Sequence, residues 1–470
     1  MNQSTQLPRV MGLRDLVLMH VVAIIGLRWL LTAANIGPSS IILWLAAVLF
    51  FFIPQGLAVL ELGARLPEEG GIYIWTRKAF GPLHGFICGW AYWVNNLIYY
   101  PALIVFMAGN FAFVLGRQYV GLADNSLYQL VFAIIVLWLA LGLNMVGLRT
   151  GRWVQNTGAT ANWIAVIILI VLGAAAWATG VGQNPFTIGS FLPDLGHGNI
   201  NLWSSLCFAL AGLELAVIMG GEVKDPSRTL PRSILIAAPL VAGTYIIGTL
   251  AILAAFPTAD VDLVTGVVEA IGHVGDRLGI PLTRLAGLLL VLTGLGGIGA
   301  WLAGSARIPF VIGIDRYLPS ALGRVHPRWQ TPYVALLVQG VGASLFIILG
   351  AWGSSVEEAY LVLIDTTLIV YFIPYLYLFL ALPVLRKMGV GSEKPTFTIP
   401  GGLPVVALVG VVGFLTTAFS IVLATIPSDL VTSPFWFFLK VVGGAAGLIL
   451  VGLFFYFRSA RQVSRPATDS

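Results

Sequence analysis

Charge is scarce in this chain. Only 10 % of its 470 residues are Asp, Glu, Lys or Arg, while 58 % are hydrophobic. Soluble domains are about one-quarter charged, so a soluble globular fold is excluded. Cysteine is nearly absent. Cys88 and Cys207 both fall in apolar stretches, which argues against a disulfide framework or a thiolate metal site and assigns both to packing. The sequence lacks a phosphate-binding glycine loop, a histidine–carboxylate metal cluster and a nucleophile elbow. An enzyme is therefore not expected, an ATP-driven pump would have to borrow its motor, and neither a cofactor nor a metal is expected. The net charge of +5 sits in loops and reflects topology, so no nucleic-acid partner is implied.

What the chain has is apolar sequence in runs long enough to cross a bilayer. About twelve are expected, at 13–35, 39–63, 82–115, 127–147, 154–179, 199–220, 231–256, 283–312, 333–352, 358–384, 403–426 and 434–457. They are near-continuous rather than alternating, which predicts helices and not barrel strands. The first run is too long and too polar-studded for a cleaved signal peptide. With the N-terminus inside, the inward loops hold most of the basic residues, among them Arg9, Arg14, Arg65, Arg77, Lys78, Arg152, Lys224, Arg228, Arg316, Arg386 and Lys387. The outward loops hold Arg117, Arg277, Arg284 and Lys440. That bias predicts a multi-pass protein of the cytoplasmic membrane with both termini in the cytoplasm. The outward segments 180–198 and 257–282 are mildly acidic (Asp194, Asp260, Asp262, Glu269, Asp276) and read as caps or gates.

Two spans carry interruptions at corresponding places. Span 1 has Ile25-Gly26-Leu27-Arg28, and span 6 has Ala211-Gly212-Leu213-Glu214. A charge in mid-membrane is expensive, about 2.5–3.5 kcal/mol on insertion scales, and is kept where it handles a ligand, a partner or a polar cavity. Five spans separate the two breaks, the spacing of a five-plus-five inverted repeat. Matched discontinuous helices point to a transporter's midplane site, where freed main-chain groups bind the ends of a zwitterion. Three readings of Arg28 are open: a contact to a substrate carboxylate, a counter-charge for Glu214 or Asp365, or a snorkelling side chain. Glu214 is the first candidate for proton coupling, since burial and neighbouring charge govern a carboxyl's proton. Its rival role is an ion pair joining the two breaks. Asp365 is the runner-up, or an extracellular gate residue. Tyr92, Asn96 and Tyr100, each four residues apart, form a helix stripe that lines a cavity or packs. Glu61 is assigned a structural role at the cytoplasmic interface, and His20 a hydrogen bond to a neighbouring helix.

These residues resemble a known family. Pro67-Glu68-Glu69-Gly70-Gly71-Ile72-Tyr73-Ile74-Trp75, followed by Ala79-Phe80-Gly81-Pro82, is similar to the helix 2–3 loop of amino acid–polyamine–organocation (APC) permeases. Gly212-Leu213-Glu214, then Gly221-Glu222-Val223-Lys224-Asp225-Pro226-Ser227-Arg228-Thr229-Leu230-Pro231, resembles their helix 6 and the loop after it. Ser305-Ala306-Arg307 with Asp315-Arg316-Tyr317-Leu318-Pro319 resembles the end of helix 8, and Phe397 to Gly402 a turn of glutamate:GABA antiporters. The resemblance implies an all-α leucine-transporter-like fold of twelve transmembrane helices with helices 1 and 6 broken. On that reading 1–12 is an N-terminal tail and 13–384 the ten-helix core, with repeats 13–179 and 199–384. Two peripheral helices fill 403–457, and 458–470 is a C-terminal tail. Phe208 matches an aromatic position that relatives use to cover substrate, and Trp301 a tryptophan of the glutamate:GABA antiporters. The chain departs from the family at Arg28, where many relatives have glycine, and at Asn162, where some proton-coupled relatives have lysine.

The expected function is secondary active transport of an amino acid by alternating access, either proton-coupled or by exchange. The cation at position 28 favours neutral or acidic substrates, because like charges near 4 Å cost about 4 kcal/mol at an effective dielectric near 20. A polyamine or organic-cation permease is the rival within the class. A membrane amino-acid sensor that does not transport is the rival outside it.

Overall fold

A computed structural model describes residues 7–179, 184, 186–193, 200–255, 262–350, 356–392, 394–426 and 433–463. Asp194 and Asp260, expected in the outer caps, lie outside the described residues. The described chain is helical. Its first half holds α1 (Leu13–Ile24), α2 (Arg28–Ile36), α3 (Ser40–Ala47), a π turn (Val48–Phe52), α4 (Ile53–Arg65), α5 (Ile72–Phe80), α6 (Pro82–Leu115), α7 (Ser126–Met145) and α8 (Leu148–Ala178). The second half holds α9 (Ile200–Ala209), α10 (Leu215–Ile218), α11 (Pro226–Ala255), α12 (Gly266–Arg277), α13 (Thr283–Ser305) and α14 (Arg307–Ile314). It ends with α15 (Tyr333–Gly350), α16 (Val356–Met388), α17 (Gly402–Leu423) and α18 (Pro434–Val463). Among the described residues there is no strand, only an isolated bridge between Met11 and Val223.

Helix follows from the solvent: a chain in hydrocarbon must satisfy every backbone group internally. Among the described residues, nine helices are long and apolar enough to cross a membrane, and the pair α1–α2, bent by 46°, makes a tenth if counted as one span. Two of the twelve expected runs fall short of that test. The ninth forms a shorter apolar helix, Tyr333–Leu349. The sixth splits into α9 and the four-residue α10, separated by Leu210–Glu214.

Helix α6 runs through the middle of the molecule, with 83 % of its most apolar stretch buried, against 33 % for α17 and 22 % for α18 at the periphery. Outer faces carry large apolar side chains such as Leu127, Leu408 and Phe435, as a lipid-facing surface requires. Small residues let α13 reach its neighbours: a Cβ placed on Gly158 of α8 would come within 2.7 Å of the Gly296 backbone. The first interrupted segment packs through α1 against this frame of α8 and α13.

Candidate functional site

The breaks leave backbone groups without helical partners, and buried groups of that kind must be satisfied elsewhere. Side chains from five helices do it. The Trp301 indole donates to Ala23 O (2.9 Å), and the Asn162 amide donates to Ile25 O (2.8 Å). The Tyr245 hydroxyl donates to Ile24 O (2.5 Å), accepts from Gly26 N (3.1 Å) and lies 3.1 Å from Ala209 O. One α11 residue thus touches both interruptions. At the second break Gly212 N donates to the Tyr375 hydroxyl (2.9 Å), and His20 Nε2 lies 3.2 Å from Leu213 O. Gly212 sits at φ +127°, a conformation that favours glycine.

Beside the first break lies a small cavity of about 20 Å³, walled by Ile25, Gly26, Leu27, Arg28, Tyr99 and Trp301, among others. That is room for roughly one water. Arg28 is buried, at 1 % exposure, which rules out the snorkelling reading. Its guanidinium carbon lies 4.6 Å from the Trp29 ring centre and 4.8 Å from that of Tyr99, within cation–π range. Phe208 packs on Trp29 (5.5 Å), Tyr99 (5.9 Å) and Tyr371 (5.3 Å), closing an aromatic box. The Thr293 hydroxyl, in the same wall, has no hydrogen-bond partner among the described residues. Sequence reasoning passed over Thr293 as a cavity-wall residue.

The stripe Tyr92–Asn96–Tyr100 looks elsewhere. The Asn96 amide donates to Tyr92 O within α6 (2.8 Å), and Tyr100 lies 3.0 Å from the Ser305 hydroxyl and accepts from Gln339 (2.5 Å). Tyr92 instead belongs to a hub around Glu214. The Tyr92 hydroxyl (2.9 Å) and the Tyr371 hydroxyl (2.7 Å) donate to Oε1 of Glu214. Tyr375 (2.6 Å) and the Gln55 amide (3.3 Å) donate to Oε2. This carboxylate, fully buried, takes four neutral donors. Asp365 lies on α16 about two turns before Tyr371, outside the hub. Tyr371 and Tyr375, spaced four apart on α16, are the partners that sequence reasoning missed; that spacing was their only signal.

A second polar cluster sits at the end of the molecule where the described chain begins. Arg307 grips Glu222 with two bonds (2.6 and 3.1 Å) and lies 4.0 Å from Glu69. The backbone amides of Val10 (2.9 Å) and Met11 (3.1 Å) donate to Glu222 O, and Lys224 N donates to Met11 O (2.9 Å). Nearby, Glu61 accepts from Arg65 (3.0 Å), from Arg386 (2.6 Å) and from Ile399 N (2.9 Å).

Burial, and then the Glu222 charge, hold the Glu69 carboxyl well above the usual carboxylate range, with Arg307 opposing. The folded protein therefore keeps this proton more tightly than the unfolded chain does. Stability is greatest below the ordinary carboxylate range and falls as pH rises toward the raised value, with a slope of at most about 1.4 kcal/mol per pH unit for one proton. Thermal denaturation in detergent should show a midpoint that declines with rising pH. Glu69→Gln, always neutral, should flatten that decline; identical slopes would assign it to other groups.

Comparison with known proteins follows the same lines. The family model described as "Amino acid permease" matches residues 11–448. An uncharacterized transporter of Legionella pneumophila is 31 % identical over 429 residues, 89 % of this chain and 90 % of that protein. A probable agmatine/putrescine antiporter of Lactococcus lactis is 24 % identical, covering 93 % of this chain and 92 % of its own. A glutamate/gamma-aminobutyrate antiporter of the same species is 25 % identical, covering 81 % and 76 %.

Proposed function

We propose, from the premise that this chain belongs to the amino acid permease family, that it moves a carboxylate-bearing amino acid across the cytoplasmic membrane by alternating access. At the level of the family the chain is a multi-pass membrane transporter of amino acid or amine substrates, and not an enzyme. The substrate, its coupling and the finer topology are what we add. That topology is twelve spans in a leucine-transporter-like five-plus-five arrangement over 13–384, two peripheral helices over 403–457, and both termini in the cytoplasm. It is supported by the helices that the apolar runs form among the described residues and by the bias of basic residues toward alternate loops.

One observation carries the substrate reading: Arg28 is buried in the wall of the cavity formed by the break. A buried guanidinium beside the Trp29 and Tyr99 rings has a planar fork of donors, and in a low-dielectric pocket it favours a carboxylate over an ammonium. The main chain around Gly26 and Gly212 takes the remainder of the zwitterion once Tyr245 and Tyr375 release its amides. Phe208 and Trp301 cover it. Glu214, held by its three tyrosines, supplies the site for proton linkage, with Asp365 the alternative. Exchange of two solutes is the preferred coupling, because two of the relatives above are named antiporters.

A cationic substrate is the second reading. It draws on the buried Glu214 carboxylate within an aromatic hub and on the likeness to an agmatine/putrescine antiporter. Purified protein in liposomes, preloaded with one unlabelled amino acid or amine at a time, separates the two by counterflow. Uptake of neutral or acidic amino acids is expected, and Arg28→Ala should weaken it by about tenfold to hundredfold, the worth of a charge-assisted hydrogen bond. Counterflow of diamines alone, or an Arg28→Ala protein indistinguishable for every substrate, would overturn the reading. Saturable binding without uptake would indicate a sensor.

A further inference from the structure

A second, larger cavity lies on the flank of the protein, away from the break. It occupies about 510 Å³ between the start of α1, the first half of α8 and the first half of α13. Its mouth carries Arg14, Asp15 and Arg152. Asp15 is already committed: it pairs with Arg152 (3.1 Å) and accepts from Gly12 N (3.1 Å) and Asn156 (3.4 Å). Two guanidiniums and one carboxylate leave the mouth one positive charge in excess, and Arg14 is exposed to provide it. Trp153, 68 % exposed, stands beside the mouth, where an indole suits the headgroup level of a bilayer.

Away from the mouth the lining changes character. Ile164, Leu289 and Leu292 form its far end. Ile164 lies twelve residues along α8 from Arg152, about 18 Å at helical rise, which compares with the ~15 Å of one leaflet's hydrocarbon. Ile164 is 43 % exposed, so the floor of the groove is open sideways. The charged end and the apolar end are thus spaced like the two ends of a membrane amphiphile.

We propose that this groove is a binding site for one anionic phospholipid, with its phosphate between Arg14 and Arg152 and an acyl chain along Ile164, Leu289 and Leu292. The leaflet concerned is the cytoplasmic one, a detail that rests on the orientation proposed above. The lipid would bridge α1, which leads into the interrupted segment, to the frame helices α8 and α13.

The test is binding and does not depend on transport. The full chain, purified in mild detergent, is offered phosphatidylglycerol, phosphatidylcholine with the same acyl chains, or soluble glycerol phosphate. Retention is counted by native mass spectrometry and stabilisation by the shift in denaturation midpoint. One retained phosphatidylglycerol per chain is expected, in preference to phosphatidylcholine. Arg14→Gln should lower that retention about fivefold, the worth of one basic residue at an anionic surface. Thr160→Trp, which fills the groove and leaves both arginines in place, should lower retention of either lipid. Both variants should denature like the parent when lipid is withheld, because Arg14 and Thr160 are exposed. Equal retention of the two phospholipids, unchanged retention in Arg14→Gln, or equal stabilisation by soluble glycerol phosphate would each overturn the proposal. Any of these outcomes would leave the transport reading untouched, since neither residue borders the cavity at the break.

Discussion

Arg307→Met is expected to destabilise the protein by about 3–5 kcal/mol, the penalty for stranding a buried charge. The arginine is 2 % exposed and its partner Glu222 1 %. Removing the cation leaves Glu222 in an apolar surround with Glu69 close by, so two carboxyls would face each other without a counter-charge. The damage would spread, because the main chain at Glu222 also anchors Val10 and Met11. The midpoint of thermal denaturation in detergent reads the effect directly. A second substitution, Glu222→Gln, made in the Arg307→Met background should recover much of the loss, since it removes the stranded charge. A loss below about 1 kcal/mol, the range of exposed ion pairs, would mean that the cluster is solvated and has no part in holding this end closed.

Glu214→Gln should reduce the maximal exchange rate by about tenfold to hundredfold, as expected when charge-assisted hydrogen bonds become neutral ones. It should also erase whatever dependence on pH the wild type shows. All four neighbours of this carboxylate point donors at it. A glutamine presents an N–H₂ group where one oxygen stood, so the donors aimed at that oxygen lose their acceptor. Tyr375→Phe is the useful companion. It removes one donor to Glu214 and also the hydroxyl that accepts from Gly212 N, so it should slow exchange while leaving a titratable group in place. Liposome counterflow at several pH values distinguishes the two variants. A Glu214→Gln protein that exchanges at full rate with an unchanged pH profile would remove the residue from the coupling role.

Much of this architecture is legible in the sequence because lipid is a demanding solvent. Continuous apolar runs admit one backbone solution, so the helices at 82–115 and 402–423 can be read with little error. The interruptions are legible for a different reason: Gly26 and Gly212 stand beside ionisable residues where neither is otherwise favoured. Partnership is harder to read. Glu214 suggests a cation, and the structure gives it tyrosines, because an apolar helix does not reveal which face meets which neighbour. Tyr371 and Tyr375 sit in α16 among Phe372, Tyr377 and Phe379, and nothing in composition separates hub members from packing residues. The stripe Tyr92–Asn96–Tyr100 shares a helix face by spacing. Yet its members serve three different contacts, since α6 passes several helices along its length. Asn162 stands out in the sequence as a departure from the family; its bond to Ile25 O is a tertiary fact that one sequence does not carry.

The Tyr245 oxygen lies at the ends of α1 and α9 simultaneously. A joint built around one atom has a kinematic consequence: a shift of either half-rod is felt at the other. Any displacement that pulls one terminus off the hydroxyl changes the footing of the other, so the two interruptions are linked through α11.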